Sequence, residues 1–309
     1  MSTFGWRLHG DGKNIAPGAV VAPEERLSWG RTIGIGMQHV VAMFGATLLV
    51  PTLTGFPVNT TLLFSGISTI LFLLITRNRL PSYLGSSFAF IAPLTASQQY
   101  GISAQAGSIL VTGAVLMAVG FVVKAAGRRV LDAVMPPAVT GSIVALIGLN
   151  LAPAATTNFQ TQPLVAAITL AAIVLATVGG RGMVSRLGIL IGVVVGWVFA
   201  ALTGNLAEGT AQTIRDAAWI GFPQFHSPEF KFSAIAVALP VLVVLIAENI
   251  GHVKAVSEMT KRDLDDLAGD ALIADGLGTA IAGGFGGSGT TTYACLLYTS
   301  PSPRDRTRS

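Results

Sequence analysis

Long apolar runs divided by short polar clusters set the pattern of this chain. Runs approaching the ~20 residues that a helix needs to cross a bilayer fall at 28–50, 58–76, 83–98, 104–123, 133–152, 163–179, 183–203, 233–253 and 268–284, and a further one begins near 287. The pattern predicts an all-α polytopic membrane protein. Two of the runs make poor helices. The third reads Tyr83-Leu84-Gly85-Ser86-Ser87-Phe88-Ala89-Phe90-Ile91-Ala92-Pro93, and its Gly, Ser and Pro residues disfavour a continuous helix. The last, Gly284-Phe285-Gly286-Gly287-Ser288-Gly289-Thr290-Thr291-Thr292-Tyr293, has the same character. A broken crossing leaves backbone N–H and C=O groups without helical partners. A bilayer tolerates these only where they are buried in protein or line a cavity. For 83–98 the alternatives are a re-entrant loop or a helix kinked at Pro93.

Charge separates these readings. The connections 51–57, 99–103 and 153–162 hold no Lys or Arg, and 204–232 holds Arg215 and Lys231. The alternating connections carry Arg77 and Arg79; Lys124, Arg128 and Arg129; Arg181 and Arg186; Lys254, Lys261 and Arg262. Cationic loops mark the cytoplasmic side. The N-terminus is therefore expected in the cytoplasm, 204–232 outside, and 83–98 as a true crossing, which the parity requires.

Composition agrees: 51% of residues are hydrophobic and 11% charged, against about a quarter charged in soluble domains. The net charge of +4 comes from loop markers, so no nucleic-acid partner is expected. Residues 1–27 are polar and lack the apolar stretch of a cleavable signal. The single cysteine, Cys295, excludes an internal disulfide. From Cys295 the chain turns into a Pro/Ser/Arg string, which reads as a non-native tail on a truncated chain.

The candidate chemistry lies in Ala247-Glu248-Asn249-Ile250-Gly251-His252, closing the apolar run that starts near Phe232. Glu248 is the one acid within that run, and no basic residue between Phe232 and Gly251 neutralises it. His252 lies four residues on, on the same helical face. An ionisable side chain in hydrocarbon is costly and is by default a functional-site hypothesis. The first span carries Gln38 and His39 at mid-membrane. A polar-centred span, an ordinary one and a Gly/Ser-broken one thus occur twice, with seven spans between the copies, as in an inverted repeat whose paired broken segments flag the binding site. Gly113 and Gly120, and Gly188, Gly192 and Gly196, suit close helix packing. Asp263, Asp265 and Asp266 match no metal-loop spacing, so 261–270 is expected as a solvated connection without a metal.

Three motifs, Gln38-His39-Val40-Val41-Ala42-Met43-Phe44-Gly45-Ala46-Thr47, Pro81-Ser82-Tyr83-Leu84-Gly85-Ser86-Ser87-Phe88-Ala89-Phe90 and the segment around Glu248, together resemble the nucleobase–cation symporter-2 (nucleobase/ascorbate transporter) family, which includes bacterial uracil, pyrimidine and xanthine permeases. The resemblance runs from about residue 20 to 294. It implies an inverted 7+7 helix repeat with short strands in spans 3 and 10, the second repeat truncated here. It implies a core domain at 28–125 and 233–294 and a gate domain at 133–203, beside the cytoplasmic segment 1–27, the external loop 204–232 and the foreign tail 295–309 expected from charge and composition. It also implies that the acid at Glu248 binds the base, that the histidine at His252 supports it through a hydrogen bond, and that the backbone at Phe88 contacts the base. The family places a second glutamate where this chain has Cys295.

The expected function is proton-coupled symport of uracil or a related pyrimidine across the inner membrane by alternating access. A purine permease of the same family and an anion transporter of the same fold are the alternatives. The anion reading lacks a Lys or Arg at depth. An intramembrane enzyme lacks a metal cluster or a nucleophile–base pair. The substrate-binding candidates are Glu248, Ser87, Phe88 and Gly289. Glu248, His252 and His39 are the candidates for proton coupling and support. The proton is the coupling ion, and no cofactor is expected. The partners are a nucleobase and the lipid bilayer, and a homodimer is compatible with the sequence.

Overall fold

A computed structural model describes residues 6–12, 21–127, 137–180, 183–206, 209–216 and 221–293. Contacts divide the chain into two compact units. One comprises Met1–Gly36, Ala46–Ile147 and Pro223–Ser309, the other Met37–Gly45 and Gly148–Phe222.

The first unit opens with a parallel pair of two-residue strands, β1 (Arg7–Leu8) and β2 (Glu25–Arg26). Helix α1 (Trp29–Thr54) follows and belongs to both units. It stops at Gly55, whose φ of 82° lets its N–H return to the Pro51 carbonyl. After α2 (Val58–Ile75) the third run breaks as its composition predicts, into strand β3 (Leu84–Ser86), a 3₁₀ turn (Phe88–Phe90) and the short helix α3 (Ile91–Ala96). Helix α4 (Gly101–Ala126) completes this part. Helix α5 (Pro137–Thr161) runs through the connection expected at 153–162, so Pro153 lies inside a helix.

The second unit continues with α6 (Pro163–Val174), a π-helical turn (Leu175–Gly179), α7 (Met183–Arg186), α8 (Gly188–Leu202) and α9 (Thr210–Asp216). Gly188, Gly192 and Gly196 form one edge of α8. Added Cβ atoms there would meet Thr177, Ile173 and Thr169 of the preceding helical segment, so the glycine spacing does set this packing.

The chain then re-enters the first unit. The run from Phe232 is not one helix. Pro240 divides it into α10 (Phe232–Ala238) and α11 (Val241–Thr260). Helix α12 (Ala268–Gly284) and strand β4 (Thr290–Thr292) follow. The tail from 295, and Cys295 itself, lie outside the described residues.

The centre of the first unit is the seam between α4 and α12. Gly269, Gly276 and Gly283 recur every seventh residue, as do Ala106, Gly113 and Gly120. A Cβ on Gly113 would stand 2.4 Å from the Ala280 nitrogen, and one on Gly276 2.4 Å from that of Met117. The backbones are in contact, which only residues without a side chain allow. Helix α2 packs on another face of α12, with Gly278 against Ser68. At one end of these helices an extended segment runs across them. Its His226 N–H donates to Phe285 O (3.2 Å), and its Glu229 N–H to Ser103 O (2.8 Å). Ion pairs join loops and helix ends, Arg79–Asp266 (3.1 Å), Lys124–Asp270 and Arg262–Glu24 (2.6 Å). Of the charged stretch 261–270, Lys261, Arg262, Asp263 and Asp266 are exposed, whereas Leu264 and Leu267 are buried and α12 begins at Ala268. Among the described residues no group of three metal-binding side chains exists.

Among the described residues three helical stretches are long and apolar enough to cross a membrane: Val58–Ile75, Gln98–Ala126, and Phe232–Thr260 with its break at Pro240. A fourth span is counted if Ala155–Thr161 and Pro163–Gly179, bent by 119°, act together. Of the other expected spans, α8 has 15 residues, α12 has 17, and 83–98 contains a strand.

Candidate functional site

The two broken crossings meet. Strands β3 and β4 pair antiparallel, with Leu84 opposite Thr292, Gly85 opposite Thr291 and Ser86 opposite Thr290. The ladder extends at both ends through Ser87 N–H to Gly289 O (2.9 Å) and Tyr293 N–H to Tyr83 O (3.0 Å). This pairing satisfies the amides that interruption of two membrane helices leaves free. The strands can come so close because Gly85 lies under the Tyr293 ring, where a Cβ would be 2.5 Å from the ring carbon Cζ. Gly289 likewise lies against the buried Phe90 ring. Hydroxyls fix the edges. Ser65 donates to the Leu84 carbonyl, Thr69 accepts from Leu84 N–H (3.0 Å), and Tyr293 Oη donates to Ser86 O (2.7 Å).

Helix α11 holds both strands from one side. Glu248 Oε2 accepts from Thr291 Oγ1 of β4 at 2.7 Å. One turn on, His252 Nε2 lies 3.1 Å from the carbonyl of Pro81, at the entry to β3. A carbonyl only accepts, so Nε2 carries the hydrogen, and the buried Nδ1 has no partner. The expected hydrogen bond from His252 to Glu248 is therefore replaced by two bonds, one from each residue to a different broken segment. Glu248 stays partly accessible, whereas His252 is fully buried.

A second acid joins this site. Asp275 of α12 is fully buried; the apolar run from Phe232 had pointed to Glu248 alone. Asn249 Nδ2 donates to Asp275 Oδ2 at 2.7 Å and to Leu245 O at 2.9 Å, and Thr290 Oγ1 donates to Asp275 Oδ1 at 3.2 Å. Strand alternation explains the division of labour. Thr290 and Thr291 point to opposite faces of β4, so one reaches Asp275 and the other Glu248. Two consecutive residues of α11 and two of β4 thereby close a ring through Asp275. Among the described residues no Lys or Arg bonds to either acid.

The remaining candidates divide. Ser87 and Gly289 join the ladder through backbone atoms, and the buried Ser87 hydroxyl has no partner. Phe88 is partly exposed, its ring centroid 6.3 Å from that of Tyr293. The 3₁₀ turn that it opens makes its first hydrogen bond from Phe90 N–H to Ser87 O. The amides of Phe88 and Ala89 precede that bond, as the first amides of any helix do. His39 lies in the second unit and is partly buried. Asp275, Asn249, Thr290 and Thr291 are site residues that sequence reasoning did not single out. The two threonines stood inside a recognised broken segment, which was the available signal.

Apolar helices around an interrupted, strand-paired centre with buried carboxyls are the architecture of a multi-pass membrane protein. The profile of the Permease family matches residues 30–295, and the chain belongs to that family. It is 42% identical over 95% of its length to RutG of Escherichia coli (strain K12), named as a proposed pyrimidine permease, and covers 70% of that protein. It is 40% identical to the uracil permease of the same strain over 85% of the chain and 64% of the relative. It is 36% identical to the uracil permease of Paenibacillus larvae over 89% and 68%. The chain thus spans roughly two thirds of the length of these relatives.

Proposed function

We propose that the protein serves proton-coupled uptake of uracil or a related pyrimidine across the bacterial inner membrane, with its N-terminus in the cytoplasm and its spans arranged as inverted repeats. The observation that carries this reading is Glu248, partly accessible and fastened by Thr291 to a strand pair built from two broken crossings. The chemistry fits a flat, neutral, polar ring. Ionised Glu248 accepts N–H bonds from the base. The Phe88 and Ala89 amides, ahead of the first bond of their turn, donate to ring carbonyls. The rings of Phe88 and Tyr293 offer an aromatic edge. A neutral base needs no cationic partner, in keeping with the lack of Lys and Arg bonded here. The names of the relatives support a pyrimidine. Glu248 can exist with or without a proton, and a carried proton and a bound base that favour the same conformation are coupled.

Uptake of labelled uracil by cells expressing a full-length protein with this sequence, and by its Glu248→Gln form, tests the reading. Loss of a charge-assisted hydrogen bond costs about 1.5–3 kcal/mol, or ~10–100-fold in apparent affinity. Uptake by Glu248→Gln equal to that of the parent ends the role assigned to Glu248.

A further inference from the structure

Asp275 is a carboxyl group with no accessible surface and no cation bonded to it among the described residues. A buried charge without a paired cation is costly unless hydrogen bonds replace its water. Here two donors do so, Asn249 Nδ2 and Thr290 Oγ1. The surroundings also accommodate the neutral acid. Thr279 Oγ1 lies 3.0 Å from Thr290 Oγ1 and 3.1 Å from Thr290 O, and it accepts Thr290 N–H at 3.1 Å. With Asp275 ionised, the hydroxyl chain runs from Thr279 to Thr290 to Asp275. With Asp275 protonated, it reverses: Asp275 donates to Thr290 Oγ1, Thr290 to Thr279 Oγ1, and Thr279 to the Thr290 carbonyl. Each hydroxyl keeps a partner in both states, because a hydroxyl is one donor and two acceptor lone pairs. Asn249 Oδ1, buried and unpartnered, is a further acceptor for a protonated neighbour if the carboxamide turns over.

We propose that Asp275 is a second proton-binding site, occluded from water by β4, which exchanges its proton when β4 parts from α12 and so ties proton release to the strand that holds Glu248. The groups around it allow this. Helix α2 has no titratable side chain, and α4 has only Lys124, which pairs with Asp270. Helix α11 carries Glu248, His252, Lys254 and Glu258, of which Glu248 is the neighbour in sequence of Asn249, a donor to Asp275. Tyr83 and Tyr293 flank the strands, and His226 lies at the far end of α12 beside Gly286. Because β4 carries Thr290 on one face and Thr291 on the other, protonation at Asp275 is felt at Glu248 through a single strand. The link to nucleobase rests on the function proposed above; the proton site itself does not.

Infrared difference spectra of the purified full-length protein in lipid vesicles, titrated with pH in H₂O and D₂O, test it without substrate. The expected result is a protonated-carboxyl band that disappears in Asp275→Asn and persists in Glu248→Gln. If Asp275→Asn leaves every such band in place, Asp275 is a permanently ionised anchor and the proposal fails. Where Asp275→Asn does not fold, Thr290→Val keeps the carboxyl and should move the pH midpoint of that band; an unmoved midpoint also overturns the proposal. In a binding assay with uracil, the parent affinity should change about tenfold across the titration, within the usual range for coupled sites, and that of Asp275→Asn by severalfold less, the remainder belonging to Glu248. Equal pH dependence in both refutes the coupling. Absence of uracil binding in the parent would count against the proposed substrate, while the infrared bands would still decide whether Asp275 takes up a proton.

Discussion

The two units use glycine in the same way and reach different interiors. In the second unit Gly188, Gly192 and Gly196 bring α8 against the preceding helical segment along one seam. The rest of those helices stays apolar and exposed, with Leu170, Val174, Leu175, Val193, Trp197 and Leu202 on the outside, as suits lipid. In the first unit the α4–α12 seam buries most of α12, and the space beside it holds Thr61, Ser65, Ser68, Gln105, Ser108, Thr112, Asp275 and Thr279. Close backbone packing in the second unit makes a helix pair. In the first it supports a polar interior that pairs two interrupted crossings and seats two acids. What separates them is what a side chain added at the seam would meet.

That contrast can be broken by mutation. Gly113→Ala has the largest expected effect, because its methyl group would strike the backbone of Ala280 and Gly276, which cannot rotate away. A loss of about 3 kcal/mol is expected, at the upper end of overpacking costs. It should appear as a large fall in the thermal midpoint in detergent. Gly192→Ala should cost less, about 1 kcal/mol, because the nearest atoms belong to the side chain of Ile173, which has other rotamers. Equal losses at the two sites would mean that the seams are equivalent after all.

The smallest effect is expected outside both seams. Glu25 is held below the ordinary carboxylate value of 4.5 by its hydrogen bond with His9 (2.6 Å), then by the Ala22 amide. A carboxyl lowered on folding stabilises the fold above its unfolded value and loses that contribution as pH falls through the folded one. Glu25→Gln should therefore flatten, slightly, the dependence of the thermal midpoint between about pH 5 and pH 3. A steep dependence surviving in the variant would assign acid sensitivity to other groups. A large change at neutral pH would give this exposed contact more weight than such pairs carry.

Much of this architecture was legible because hydrocarbon demands a visible code. The helices lie close to the apolar runs, the poor helix formers of 83–98 and 284–293 do break the chain, and the glycine spacings do mark seams. Glu248 stood out because nothing charged surrounds it in sequence. Asp275 did not, although it stands within the apolar run 268–284, because nothing in its local sequence marks it as the Glu248 motif marks Glu248. The pairing of β3 with β4 was out of reach, because backbone bonds between segments some 200 residues apart leave no periodicity. His252 was misdirected by proximity. A partner one turn away on the same helix is what spacing suggests, whereas the carbonyl of Pro81 is 171 residues distant.

The ladder between Leu84–Ser86 and Thr290–Thr292 also orders events in time. During synthesis the earlier strand enters the bilayer with its edge unmatched, and its mate begins only 204 positions later, counted from Ser86 to Thr290. Unmatched amides are poorly tolerated in lipid, so α2, whose Ser65 and Thr69 reach Leu84, is the neighbour placed to shelter that edge meanwhile. Maturation of the centre is thus a late, long-range closure, slow by the entropy of bringing distant segments together. Damage to either strand would surface first as a biogenesis defect and only afterwards as a change in transport.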